Sequence, residues 1–306
     1  MQRPSNRPLV TVLRPAAASL LAGLLLGGCA TDLAPVRTFA EQTQKMSLHF
    51  EPMLAGGVHS CMDKAMRKRL ILAERFDAQA SEQAARADCA PIAQASASIA
   101  GLNDVLLRYA RTMAALADDK LPVYKEEFAE LGDALAGLAQ PGAGAPLLDA
   151  DKLAKVVKLS EHLSRLATQR RQKSALRDLL DEHEAVDIVS NALKEYAQRS
   201  YRAGLQDEFR DLAQLRGAVD NAAPREPLAA NYIRTRLHLE GRQLQEREKI
   251  VAAYVAAVDA LQASVAALRA NFERLQAPEL ERQLAQFARD VETLQRQAAF
   301  YAPARW

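Results

Sequence analysis

The arrangement closest to a catalytic motif in this chain is His183-Glu184 followed by Asp187. Zinc proteases need a second histidine four residues after the first, because two imidazoles on one face of a helix then bind the metal. Asp187 takes that position here, so one of the two ligands is replaced. The charged residues Asp181 and Glu182 precede the motif, which is typical of a solvated helix face or the start of a long helix. We therefore interpret this segment as a helix surface.

Other familiar catalytic and cofactor patterns are missing. A di-iron bundle needs Glu-x-x-His steps on two helices, and no histidine has a glutamate three residues before it; the histidines are His49, His59, His162, His183 and His238. The haem-attachment pattern C-x-x-C-H and the hydrolase patterns G-x-S-x-G and S-x-x-K are absent as well. We expect no catalytic residue, no metal and no cofactor, and therefore a protein that is not an enzyme.

Two tyrosines five residues apart, Tyr196 and Tyr201, are candidates for a binding groove. Together with Phe209 they could line a cavity for an apolar small molecule or lipid. The simpler interpretation places both tyrosines at buried or boundary positions of a helix. The sequence leaves the choice open.

A short targeting segment opens the chain. Residues 1–28 contain Arg3, Arg7 and Arg14 and no acidic residue, and an apolar run follows over residues 16–26. This run is shorter than the roughly 20 apolar residues of a membrane span and is typical of a secretory signal. The next residues, Leu26-Gly27-Gly28-Cys29, resemble the lipobox of bacterial lipoproteins.

The lipobox resemblance implies a lipid anchor on Cys29. Cleavage would fall between Gly28 and Cys29, a diacylglycerol would join the thiol, and the new amino terminus would carry a further acyl chain such as palmitate. Several acyl chains anchor a protein stably, whereas one binds only reversibly. In this class an Asp after the cysteine favours retention at the inner membrane. Ala30 stands there, which points to the outer membrane and its periplasmic side.

Charge gives no support for nucleic acid as a partner. The chain has a formal charge of +2, but residues 1–28 hold three arginines, so the charge after cleavage becomes −1. A nucleic-acid interface needs a concentrated excess of Lys and Arg. The basic runs at 64–69 and 170–173 are each followed by acidic residues, and we interpret them as solvated helix faces, with anionic headgroups or a partner as the alternative.

The other two cysteines, Cys61 and Cys89, are an even pair in an oxidising compartment, so a disulfide is expected. A chain reversal near 76–78 would place them at similar distances from the turn on an antiparallel helix pair. The loop closed by this bond would add roughly 3 to 4 kcal/mol in the chain-entropy model. Free thiols, a metal pair or a redox-active pair are the alternatives.

Composition and periodicity predict an all-α fold. The chain is 49% hydrophobic but only 5% aromatic, and Ala and Leu dominate the apolar residues, which disfavours a large sheet as well as collagen-like, disulfide-dense and disordered classes. Apolar residues recur at spacings of three and four throughout. We predict a signal peptide at 1–28, a tether at 29–34, an N-terminal helical region at 35–139, a linker at 140–149 and a long-helix region at 150–306.

The strongest periodicity is a heptad seam in the C-terminal region, formed by Val251, Tyr254, Val258, Leu261, Val265, Leu268, Phe272 and Leu275. It predicts a helix from about Leu228 to Gln276, which would be roughly 70 Å long. A final helix is expected from Leu280 to Leu294. Together these patterns predict an elongated antiparallel bundle with long, coiled-coil-like helices.

From these features the sequence predicts a lipid-anchored envelope protein that acts as a non-enzymatic interaction or scaffold module. The partners expected are the membrane, through the lipid, and an envelope protein or a second copy, through helix faces. The alternative is a ligand-binding helical lipoprotein on the periplasmic side.

Overall fold

The structure is a computed structural model that describes residues 32–72, 76–118, 148–166 and 172–300. The predicted signal peptide, Cys29, the linker as far as residue 147 and the tail 301–306 lie outside the described residues. All regular structure in the described parts is helical, which confirms the all-α prediction. That the bundle is elongated and coiled-coil-like stays a prediction.

The described helices are α1 Ala34–Leu48, α2 Glu51–Leu72, α3 Ala78–Ala117, α4 Ala150–Leu166, α5 Gln172–Asp181, α6 His183–Glu195, a π-helical segment Tyr196–Tyr201, α7 Arg202–Ala222, α8 Pro227–Ala270 and α9 Pro278–Phe300. Their core begins at Leu33, and the described residues from Leu33 onward form one compact unit. We infer that this part of the chain can fold without the residues before it.

The first two helices are divided at a different point from the one expected. Pro52 and the pair Gly56-Gly57 predict a kink or break after a first helix over residues 36–53, whereas α1 ends at Leu48 and α2 begins at Glu51. Pro52 lies in the first turn of α2, where its missing N–H costs no helix hydrogen bond. The two glycines lie inside α2 and serve close packing, as described below.

The third helix begins earlier than the sequence pattern indicated. The apolar spacing that starts at Ile92 predicts a helix that begins after Cys89, but α3 starts at Ala78. Asp77 caps it by accepting a hydrogen bond from the Ala80 N–H at 3.0 Å. Pro91 therefore lies inside the helix. Ile92, which was assigned to the apolar face, is 42% exposed.

The heptad seam is buried as predicted. All eight seam side chains belong to the core, and so do the apolar residues of α9, namely Leu280, Leu284, Phe287, Val291 and Leu294. However, α8 ends at Ala270 and not near Gln276, because the chain turns at Asn271 before Pro278 starts α9. Phe272 and Leu275 remain buried within this turn.

Side-chain contacts define the direction in which each helix runs. Arg37 donates to the Ala117 carbonyl, Asn103 donates to the Ser47 carbonyl, and Cys61 is bonded to Cys89, so α3 runs antiparallel to α1 and α2. Arg69 on α2 also pairs with Asp88 on α3. The ion pair of Lys64 with Asp207 joins α2 to α7. Arg67 pairs with Glu208 on α7 as well as with Glu240 on α8; these pairs are 3.4 and 3.2 Å.

The pairing of α7 with α8 completes this register. Arg202 at the start of α7 pairs with Glu248, and Asp220 near its end pairs with Arg234, so the two helices are antiparallel. Lys64 and Arg67 on α2 pair with Asp207 and Glu208 on α7, so α2 and α7 run parallel. The C-terminal end of α2 therefore lies on the same side of the bundle as the α7–α8 turn at 223–226.

Candidate functional site

The motif nearest to a catalytic site lies on a helix surface, as the sequence predicted. His183 is the first residue of α6, and its ring nitrogen Nδ1 lies 3.2 Å from the Asp181 carbonyl oxygen. Lys155 donates to the Glu184 carboxylate at 2.6 Å, and this bond holds the pKa of Glu184 below its ordinary value. Asp187 accepts a hydrogen bond from Gln262 at 3.3 Å. No group of three or more His, Cys, Asp or Glu in the described residues could hold a metal ion.

The cysteine pair forms the expected disulfide. Cys61 on α2 and Cys89 on α3 are bonded, with their Cα atoms 5.9 Å apart. The bond joins the two antiparallel helices at the level where α2 also meets α7.

The two candidate tyrosines lie in the π-helical segment, at its first and last positions, and both are buried. Short π-helical segments inside α-helices shift the register of side chains by one residue. The hydroxyls of Tyr196 and Tyr201 reach α2 at Gly57 and Gly56, where an added Cβ would lie 2.6 Å from each hydroxyl oxygen. Glycine is required there because the tyrosines occupy the space of a side chain. The third candidate, Phe209 on α7, is partly buried against the core.

A buried ion pair lies beside these tyrosines. The Arg247 guanidinium on α8 donates to the Glu208 carboxylate on α7 at 3.1 Å, and their residues are 5% and 1% exposed. The same guanidinium donates to the Tyr201 hydroxyl at 2.8 Å and to the Gly56 carbonyl at 2.9 Å. It also donates to the Ser60 hydroxyl. This polar cluster therefore ties together α2, the π-helical segment, α7 and α8.

A second arginine extends the polar cluster toward solvent. Arg67 on α2 bridges Glu208 and Glu240, and its side chain is only 12% exposed. Asp63 lies four residues before Arg67, and burial raises the pKa of this carboxyl. The expectation that this basic run is a solvated face is therefore wrong for Arg67.

The many Asp and Glu residues on helix faces rich in Arg and Gln predict solvent-exposed pairs, whereas Glu208 is buried, alone among the acidic residues in the described parts of the chain. A signal was present in the spacing. Arg247 falls between Leu244 and Val251 on the buried seam of α8, and Glu208 falls between Leu205 and Leu212 on α7. A charged residue at a seam position indicates a buried partner. The contacts of the cluster are all internal hydrogen bonds and ion pairs, so its chemistry is the joining of helices.

A cleft of about 550 Å³ lies where α5 meets the α8–α9 turn. Arg177 covers the Phe272 ring at 5.5 Å and pairs with Glu273, while Arg269 lies 3.7 Å from Asp181. These cations already have acidic partners at the surface, and we assign no ligand to the cleft.

The clearest exposed apolar surface is on the first half of α8. Leu228 is 84% exposed, Tyr232 is 74% exposed and Leu239 is 47% exposed. We call the surface formed by Leu228, Tyr232, Thr235, Leu239 and Arg242 the outer face of α8. The outer face is not evident from the sequence, because the apolar spacing is much more regular in the seam further along the same helix.

By length and composition, α8 could also cross a membrane, but 56% of its most apolar window is buried inside the bundle. The core helix of a globular protein has these properties too. No protein family, curated protein or solved structure matches this chain.

Proposed function

We propose that this protein is a lipid-anchored component of the cell envelope that acts as a non-enzymatic interaction module on the periplasmic side of the outer membrane. The observation that carries the proposal is the segment Leu26-Gly27-Gly28-Cys29, which follows a basic start and a short apolar run. The body starts only a few residues later, so a lipid on Cys29 would hold it close to the membrane surface.

The disulfide supports the same compartment. Disulfides persist in oxidising environments such as the periplasm and are rare in the cytosol. Cys61 and Cys89 are bonded across α2 and α3, which suits a protein that folds after export.

The side chains that the described helices expose to solvent support the interaction role. Glu184 and Asp187 of the motif nearest to a catalytic site are used in helix-to-helix contacts, whereas the outer face of α8 presents Leu228 and Tyr232 to solvent. Tyr and Arg are enriched at protein interfaces, and Tyr232 and Arg242 both belong to the outer face of α8. We do not propose an apolar ligand between Tyr196, Tyr201 and Phe209, because the two tyrosine rings fill the space against α2.

Lipidation is tested by replacing Cys29. The unaltered protein should sediment with outer membranes, and its N-terminal peptide should carry the mass of the acyl chains. Cys29→Ser should remove the acyl mass and the outer-membrane association. If the Cys29→Ser protein stays in the outer membrane, the lipid-anchor proposal is wrong.

Sorting is tested by a variant that keeps the anchor. Ala30→Asp preserves Cys29 and should move the lipidated protein to the inner membrane. An unchanged distribution between the two membranes would contradict the outer-membrane assignment, although not lipidation itself.

The interaction role has a separate test. Crosslinking in intact envelopes should yield adducts of defined mass, either with another envelope protein or with a second copy. A protein that is always monomeric and unlinked would contradict the interaction role.

A further inference from the structure

The outer face of α8 has the spacing of a helix-pairing seam. Leu228, Tyr232, Thr235, Leu239 and Arg242 follow one another at steps of four, three, four and three residues. This is the heptad spacing that keeps side chains on one line when two helices pack side by side. All five residues are exposed in the described structure.

The same stretch of α8 already uses its opposite face. Ala230, Leu237 and Leu244 are buried where α8 packs against α7. Leu228 and Leu237 are nine residues apart, which places them about 180° apart around the helix axis. The first half of α8 therefore has two apolar faces, and only one of them is covered within the chain.

The occupant that fits the outer face best is the outer face of a second copy. The spacing is nearly symmetric about Thr235, because Leu228 and Arg242 lie seven residues on either side of it while Tyr232 and Leu239 lie three and four residues away. An antiparallel partner would place Thr235 beside its counterpart and Tyr232 within one residue of the level of Leu239 of the other copy. This is the self-complementarity required of a two-fold interface. Tyr and Arg are among the residue types that carry most of the binding energy in protein interfaces, and Tyr232 and Arg242 supply both types on the outer face.

Charge selects the antiparallel arrangement over the parallel one. In a parallel pair Arg242 would face Arg242, and like charges would repel each other. In the antiparallel pair the aliphatic stem of Arg242 covers Leu228, with its guanidinium free to reach solvent. Arg236 lies beside the axis and approaches its counterpart, but each Arg236 keeps Glu240 of its own chain as a partner at 3.4 Å.

The end of α2 adds to the surface available to a second copy. Arg67 contacts Glu240, and the two helices run in opposite directions, so Leu70 and Ile71, one turn beyond Arg67, lie level with residues 236 and 237 of α8. Both are exposed large apolar residues. Together with Leu228, Tyr232 and Leu239 they present roughly 500 Å² of side chain, against about 800 Å² per partner in a standard interface. Polar residues at the rim, including Arg236 and His238, supply the remainder.

We propose that the protein forms a two-fold dimer in which the outer faces of α8 pair antiparallel about Thr235. The proposal deepens the interaction role proposed above, since it names the partner as a second copy of this chain. It does not depend on lipidation, and it can be tested on residues 33–306 alone.

The oligomeric state is the first test. Analytical ultracentrifugation of residues 33–306 should show a reversible monomer–dimer equilibrium. Tyr232→Asp should raise the dimer dissociation constant at least roughly tenfold, because it places two charges in the centre of the seam. Leu48→Asp is the matched control: Leu48 is an exposed apolar residue at the end of α1, outside the outer face, and its variant should dimerise like the unaltered protein. Equal effects of the two variants would overturn the proposal.

A crosslink tests the position of the two-fold axis. Thr235→Cys should form a disulfide-linked dimer under mild oxidation, since the two Thr235 residues face each other across the axis. Ala229→Cys is the control on the same helix, because Ala229 is exposed but lies off the seam. A Thr235→Cys protein that links no faster than the Ala229→Cys protein would overturn the proposed arrangement.

The two proposals fail in different ways. Monomeric residues 33–306 that sediment with anionic lipid vesicles would assign the outer face to a lipid surface and overturn the dimer. Monomeric protein that gives a crosslinked adduct with a different envelope protein would overturn the dimer while leaving the interaction role intact. Membrane attachment of the full chain through Cys29 is unaffected by either result.

Discussion

Removal of the Arg247 guanidinium should destabilise the fold more than any single change at an exposed charge. Arg247→Met keeps the apolar stem but removes the donors to Glu208, Tyr201, Ser60 and the Gly56 carbonyl. Breaking a buried ion pair costs about 3 to 5 kcal/mol, because it leaves an uncompensated buried charge. Arg67 still lies 3.4 Å from Glu208 and offsets part of the loss. We therefore expect a decrease of about 3 kcal/mol in the free energy of unfolding.

Urea unfolding of residues 33–306, followed by circular dichroism with the disulfide intact, measures this loss as a shift of the midpoint at constant slope. Lys249→Met is the matched control, since Lys249 is an exposed residue two positions further along α8 and should cost less than about 0.5 kcal/mol. Combining Arg247→Met with Glu208→Leu should recover part of the stability, because no buried charge then lacks a partner: Arg67 keeps its pair with Glu240 at 3.2 Å. A loss below about 1 kcal/mol for Arg247→Met alone would refute the reasoning, since it would mean that Glu208 is solvated.

Three further outcomes follow from the buried contacts. Gly56→Ala should lower the free energy of unfolding by about 1 to 3 kcal/mol, because the new Cβ collides with the Tyr201 hydroxyl. Gly241 has open space around it, so Gly241→Ala should raise the free energy of unfolding by about 0.5 to 1 kcal/mol in the same urea titration. Tyr254→Phe should raise the thermal midpoint, with a gain of about 1 kcal/mol, since the buried Tyr254 hydroxyl has no hydrogen-bond partner among the described residues; a lower midpoint would contradict this. Burial lowers the pKa of His49 below its ordinary 6.5, so the unfolded chain takes up the proton first as the pH drops. The free energy of unfolding should therefore fall below about pH 6.5. His49→Gln should reduce this dependence when unfolding is measured across pH 5 to 8.

The predictable part of the fold is the part in which apolar spacing is continuous. The seam from Val251 to Leu275 and the repeat in α9 were identified because each apolar residue there meets another helix. Helix ends were less predictable. Pro52 and Pro91 were read as boundaries, yet one lies in a first turn and the other inside α3. Both positions are decided by packing with neighbouring helices, and packing has no local signature.

The polar cluster shows why the site itself was harder to predict. Glu208 and Arg247 are 39 positions apart, and in a chain with many charged residues neither differs locally from a solvated one. Only their position on two seams distinguishes them, and that becomes evident once α7 and α8 are known to pack together. The sequence leaves open whether Tyr196 and Tyr201 line a groove or are buried, and the structure shows both of them buried. Their contacts with Gly57 and Gly56 depend on the tertiary arrangement of α2.

The contact between the first and last described helices affects how the chain can fold. Phe39 on α1 lies 6.0 Å from Phe287 on α9, ring centre to ring centre, although the two residues are separated by most of the chain. Synthesis proceeds from the N-terminus, so α1 is made first and its partner last. The helices between them can form early from local contacts, whereas the α1 end of the core cannot close until the final helix has been released. A chain that is interrupted before α9 would therefore leave Phe39 without the Phe287 ring, and of these two aromatic partners only Tyr109 on α3 would then contact the Phe39 ring.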